Sequence, residues 1–201
     1  MYKKIINRNL LFFILVMGVI FMSNILGCNN RFKYLQYASK DPALNISLDY
    51  ISGWSYREHR GDGKNYDAGV IFIEDKKGKV LKAFISVYVQ DALKTGLVLP
   101  TLEAMVDDLI AKRLKLEGTK VLKKSKIKLL TTAAWEILFA SKALDKIYSL
   151  DAKFIPIQER VVTFKKADKF YVIRYQNREE EFNSYDKAFT HIIHTLKLKR
   201  E

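Results

Sequence analysis

From Leu44 onward the sequence is a succession of short runs in which apolar and polar residues alternate, and two stretches break that alternation with helical spacing. In "LNISLDY", Leu44, Ile46, Leu48 and Tyr50 fall on one side of an extended chain, and Asn45, Ser47 and Asp49 on the other. This is the pattern of a strand with one buried face. "SGW" then turns the chain, and "WSYREHR", "YDAGVIFIE" and "VLKAFISVYVQ" are expected as strands, the last two joined by "DKKGK" with Gly78 at the permissive position. The stretch "LPTLEAMVDDLIAKRLKLEG" is expected as a helix. Thr101 can cap it, Glu103, Asp107 and Asp108 favour its early turns, Leu102, Met105, Val106, Leu109 and Ile110 form one stripe, and Gly118 ends it. Strands resume with "VLKKSKIKLL", "AAWEILFAS", "QERVVTFKK" and "KFYVIRYQ", with a turn at Ala167-Asp168. A final helix is expected after Ser184, with Tyr185, Phe189, Ile192, Ile193 and Leu196 on its buried face. Consecutive strands with short turns pair antiparallel, and two helices with single apolar faces need a sheet to cover. The class is therefore α+β, a largely antiparallel sheet covered by two or more helices.

The chain has one cysteine, so no disulfide can staple this fold from within. Cys28 follows a basic start, "MYKKIINRN", and an apolar run from Leu10 to Met22 that is short for a membrane span and about right for a signal segment. The residues before it, "ILGC", resemble a bacterial lipoprotein signal. The resemblance implies Ile25, Leu26 and Gly27 as the signal peptidase recognition residues and Cys28 as the lipid attachment site. A small Gly27 leaves the peptidase room at the backbone, and the sulfur carries a diacylglyceryl group as a thioether. Leu26 is bulkier than the small residues common at its position. The alternative is an uncleaved anchor with a bystander thiol. A single fourteen-carbon chain anchors only reversibly, so the two or three chains of such a lipoprotein give lasting attachment.

The expected organisation is a signal peptide over residues 1–27, a lipidated N-terminus and short tether over 28–42, and one α+β domain over 43–201. Either reading of the N-terminus places the domain outside the cytoplasmic membrane. Asn29 is not the aspartate that favours inner-membrane retention in enteric-type bacteria, which points to an outer membrane in a two-membrane cell.

The net charge is +13, which favours anionic partners. Lys120, Lys123, Lys124, Lys126 and Lys128 concentrate it, and in a strand Lys124, Lys126 and Lys128 share one side. Such a stripe can contact an anionic surface, adding about 1 kcal/mol per residue beside anionic lipid; a solubilising outer face is the plainer alternative. Nucleic acid is excluded as a partner by the expected location.

Catalytic and metal chemistry find little footing. His191 and His194 are three apart on the last helix with Asp186 nearby, but they flank Ile192 and Ile193 and no third ligand is fixed by spacing. "GDGKNYD", after His59, lacks the terminal Glu of a calcium loop and the Gly-Lys-Ser/Thr ending of a phosphate loop. No Gly-x-Ser-x-Gly elbow occurs. The expectation is a non-enzyme with no catalytic residue, no bound metal and no cofactor.

The order of segments resembles the PsbP-like, or Mog1/PsbP-type, α/β/α sandwich. "LNISLDYISGW", "LPTLEAMVDDLI", "AAWEILFA", "RVVTFKKADKFYVIRY" and "YDKAFTHIIHTLKL" carry the resemblance, with Ile51-Ser52 where such proteins often have proline before the glycine and tryptophan. The resemblance implies a compact single domain and accessory or binding work, since its members share no catalytic set. The expected function is that of a membrane-anchored accessory or binding protein of the bacterial cell envelope. Its partners are the bilayer, through acylated Cys28, and an envelope protein complex or anionic polymer. The alternative is a carrier of a small ligand or metal ion in a cleft of the domain. A concave aromatic-lined pocket with converging polar groups favours the carrier; a flat patch of exposed aromatics and lysines, including Trp54 or Tyr56, favours the accessory protein.

Overall fold

The computed structural model describes residues 32–61, 66–75, 81–91, 101–145 and 151–199. Ile25, Leu26, Gly27 and Cys28 lie outside the described residues, as do Gly78 and most of "GDGKNYD".

The described residues from Tyr34 onward form one compact unit. Seven antiparallel strands make its main sheet, in the order β3 (Trp54–Arg60), β4 (Ala68–Glu74), β5 (Phe84–Asp91), β9 (Lys169–Arg178), β8 (Phe154–Lys166), β7 (Thr132–Leu144), β6 (Lys120–Leu129). A second, antiparallel sheet holds β1 (Tyr34–Ala38), β2 (Ile46–Ile51) and β10 (Lys197–Leu198) in the order β1-β2-β10. Helix α1 (Leu102–Leu114) lies on one face of the main sheet. Helix α2 (Phe182–Thr195) packs between β9 and the small sheet. This is the α+β class expected, a largely antiparallel sheet with helices on it.

The N-terminal boundary of the domain differs from expectation. Residues 34–38, assigned to the tether, form β1, paired from Tyr34↔Ile51 to Ala38↔Ser47. Tyr37 is 2% exposed and its hydroxyl donates to Glu58 Oε1 at 2.8 Å. Partners far along the chain hold this stretch extended, although its own residues show no period. The folded unit thus begins at Tyr34.

The second helix also starts earlier than its serine implied. No side chain caps it, and Ser184 lies inside it. Tertiary packing sets the start: Phe182 is buried and stacks on Tyr175 at 4.8 Å, and the Tyr175 hydroxyl donates to the Phe182 carbonyl at 2.6 Å. Burial pushes the Tyr175 phenol up and keeps it a neutral donor. The expected apolar face is present, with Tyr185, Phe189, Ile192, Ile193 and Leu196 all buried. Each such side chain contributes about 1.5–3 kcal/mol.

Thr101 caps α1 as expected, its hydroxyl accepting from the Ala104 N–H at 3.1 Å. Met105 and Val106 anchor this helix against Ile137, Phe139, Val161, Phe170 and Val172. These belong to β7, β8 and β9, so α1 covers only one half of its face of the sheet. The other half, on β3, β4 and β5, has no helix over it among the described residues.

Candidate functional site

The uncovered half-face, the flank of α1 and the buried strand β9 enclose a cleft of about 580 Å³. The strand register dictates its floor. His59 pairs with Gly69, Gly69 with Tyr88, and Tyr88 with Val172, while in the next row Ile71 pairs with Ser86 and Ser86 with Arg174. Period two then places the side chains of these two rows on the same face of the sheet. Gly69 leaves room for the His59 ring and Tyr88 to close over it. A Cβ there would stand 2.9 Å from His59 Nε2 and 3.2 Å from Tyr88 Cβ, so a side chain at this position would crowd both neighbours. Tyr66 meets the His59 ring edge-on at 5.2 Å and closes that end.

The opposite wall comes from α1. Leu109, Lys112 and Arg113 line it, spaced so that successive turns face the sheet, and Leu116 joins them just past the helix end. Lys112 and Asp108 pair with each other at 2.7 Å at the exposed side.

Deeper in, two guanidinium groups share one buried carboxylate. Arg113 Nη2 donates to Glu159 Oε1 at 2.9 Å, Arg174 Nη2 donates to Glu159 Oε2 at 3.3 Å, and Arg174 Nε forms an ion pair with Glu159 Oε1. Gln176 Oε1 also accepts from Arg174 Nη2 at 2.6 Å, and the Arg174 guanidinium stacks over Phe84 at 5.1 Å. Burial lowers the Arg174 pKa, the Glu159 charge opposes this, and the neighbouring Arg113 lowers it further. The group stays cationic because the intrinsic value is so high. Burial likewise raises the Tyr88 phenol, partly offset by Arg174 and Arg113, so Tyr88 offers a neutral hydroxyl. The cleft therefore combines aromatic and aliphatic walls with a small set of convergent polar groups, as small-molecule sites do.

The residues singled out from sequence fall elsewhere. Lys124 Nζ reaches Asp107 at 2.9 Å and Lys126 Nζ reaches Glu103 at 3.8 Å, both over the Trp135 ring; Lys123 pairs with Glu136 at 3.2 Å on the other face. The acids of α1 thus serve the basic strand as well as the helix dipole. Lys120 and Lys128 are exposed on the same edge strand. His191 bonds Asp49 at 3.0 Å and stacks on Tyr34, while Asp186 pairs with Arg160 at 2.7 Å, so they do not converge. Among the described residues no three His, Cys, Asp or Glu side chains gather as metal ligands. Trp54 is buried against Tyr185 at 5.3 Å and offers no exposed ring; Tyr56 is half-exposed.

Sequence reading missed Arg113, Glu159 and Arg174. Arg174 carried a signal, because a charge in the middle of the apolar strand "FYVIRY" needs a buried partner.

No protein-family model matches the sequence, and no curated protein matches it. Solved structures do. A cyanobacterial PsbP from Synechocystis superposes with a TM-score of 0.56 at 10% identity, over 86% of this chain and 96% of that one. A Pseudomonas aeruginosa protein of unknown function, PA94, gives 0.53 at 14%, over 84% and 99%. The Ran-binding protein Mog1p of Saccharomyces cerevisiae gives 0.51 at 11%, over 83% and 96%. At these identities the likeness is one of architecture, and on that ground the chain has the α+β sandwich fold of the PsbP-like and Mog1-like proteins.

Proposed function

We propose that this chain is a lipid-anchored, non-catalytic binding protein of a bacterial cell envelope, and that its binding element is the cleft between α1 and strands β3, β4 and β5. The observation that carries the reading is the cleft itself: about 580 Å³, walled by aromatic and aliphatic side chains, with Arg113 and Arg174 at its base. Of the two functions open from sequence, this favours the ligand carrier. The "ILGC" box supports the anchor at Cys28, and with it a position on the outer side of the cytoplasmic membrane, an outer membrane where the cell has one. Exposed Lys120 and Lys128 on the edge strand suit apposition to anionic lipid.

A second reading, an accessory protein docking on an envelope complex, is favoured by one feature. Phe154 is 70% exposed and pairs across the hairpin with Leu144, itself 41% exposed.

Two variants test the proposal together. Expressed in a bacterium, the wild type should lose residues 1–27, gain lipid mass and pellet with membranes, whereas Cys28→Ala should remain unmodified. An envelope small-molecule extract should raise the melting temperature of the wild type but not of Ile71→Trp, whose indole would fill the cleft from β4 without removing either arginine. An unmodified full-length wild type refutes the anchor, and equal shifts for both chains refute the cleft.

A further inference from the structure

The charges in this cleft do not balance. Among the described residues lining it, Arg113, Arg174 and Lys112 supply three cations and Asp108 one carboxylate, and a second carboxylate, Glu159, lies buried behind the two arginines. Lys112 and Asp108 satisfy one another at the rim, with the Lys112 side chain 57% exposed to water. Two guanidinium groups remain for the single carboxylate of Glu159, which is 3% exposed. Both Glu159 oxygens are already engaged, Oε1 by both arginines and Oε2 by Arg174. A guanidinium has five N–H donors, and Arg113 uses one of them on Glu159 with its side chain 26% exposed on the cleft wall. The base of the cleft is thus a buried carboxylate with both oxygens engaged, beside donor-rich arginines. Two guanidinium groups on one carboxylate leave this base net positive, which attracts an anion, and the carboxylate is too buried to receive a cationic headgroup.

The remaining surface sets the rest of the ligand. Ile71 and Phe84 on the sheet, Leu109 on α1 and Leu116 just past its end face the same space, and Leu116 is 51% exposed. Apolar surface of this extent beside a buried charge fits a molecule with one polar end and a hydrocarbon body.

Building on the cleft reading above, we infer that the ligand is a small amphipathic anion, an oxyanion headgroup held by Arg113 and Arg174 with an apolar body along Ile71, Phe84, Leu109 and Leu116. A carboxylate and a phosphate share the required chemistry, since both accept the paired N–H groups of arginine.

The test is an amide chemical-shift titration of the full-length chain in nanodiscs of zwitterionic lipid, with empty discs as the partitioning reference. Four eight-carbon probes differ only at the head: octanoate, octyl phosphate, octanol and octyltrimethylammonium. One or both anions should bind with shifts centred on Ser86, Tyr88, Leu109 and Arg113, at least about tenfold more tightly than octanol or the ammonium probe, as expected for a charge-assisted hydrogen bond. Which anion binds identifies the head as carboxylate or phosphate. Arg113→Met, which leaves the Glu159–Arg174 pair intact, should abolish that preference while octanol binding persists. Equal binding of all four probes, a preference for the ammonium probe, or an undiminished anion preference in Arg113→Met overturns the anion inference and leaves the cleft standing as a site. Shifts that are the same in Ile71→Trp as in the wild type, or none in either, overturn both the inference and the cleft reading.

Discussion

Glu159→Gln is the perturbation that most directly probes how the cleft is held open. In the native protein one carboxylate, 3% exposed, neutralises Arg174 from below and Arg113 from the side. Glutamine keeps the shape and one acceptor but removes the charge, leaving two guanidinium groups facing each other in a partly desolvated space. Removing one partner of a buried pair costs about 3–5 kcal/mol, and for a domain of this size that corresponds to a fall in Tm of roughly 6–20 °C. Urea denaturation and calorimetry should both register the loss. Glu159→Met combined with Arg174→Met should lose much less than Glu159→Met alone, because the buried charge and its partner then leave together. Arg113→Met should cost under about 1 kcal/mol, since it relieves the crowding of two cations on one carboxylate. A Glu159→Gln protein within about 0.5 kcal/mol of wild type would refute the reasoning, for it would mean that water already screens the pair.

The remaining predictions concern the scaffold. Phe189→Ala, at a position with no exposed surface inside the α2 core, should cost about 3–5 kcal/mol by equilibrium denaturation. Thr101→Ala removes the cap of α1 and should cost about 1 kcal/mol, with faster amide exchange confined to the first turn of that helix. Burial alone would raise the Glu136 carboxyl, but the Arg160 and Lys123 contacts outweigh it and hold the group below its ordinary value of 4.5. The folded state therefore binds fewer protons than the unfolded one below that value. This part of the stability is fully present above about pH 4.5 and is lost as pH falls through the folded pKa. A Glu136→Gln variant should show a flatter stability profile in that acid range.

How far the sequence disclosed this molecule depended on whether a feature was local. The strand "WSYREHR" was found with its observed limits, and α1 was found with its cap, because alternation, helical spacing and a threonine oxygen act within a few residues. Strand β1 was not found, since Tyr34–Ala38 is extended only by pairing with β2 and by the reach of Tyr37 to Glu58. The start of α2 was misplaced for the same reason, as Tyr175 and Phe182 settle it rather than Ser184. The cleft was the least legible part. Its floor is assembled from β3, β4, β5 and β9 by registers spanning more than a hundred residues, and no spacing within one segment can encode it. Even there, Gly69 between apolar neighbours and Arg174 inside an apolar strand were local signs of a close approach and a buried charge.

The most direct test of the account is native mass spectrometry of the chain extracted from membranes of a bacterium that expresses it, wild type beside Ile71→Trp. Both chains should carry the lipid mass on a product lacking residues 1–27, and the wild type alone should retain a noncovalently bound small molecule. A wild type that carries no such molecule, or an identical adduct on both chains, would contradict it.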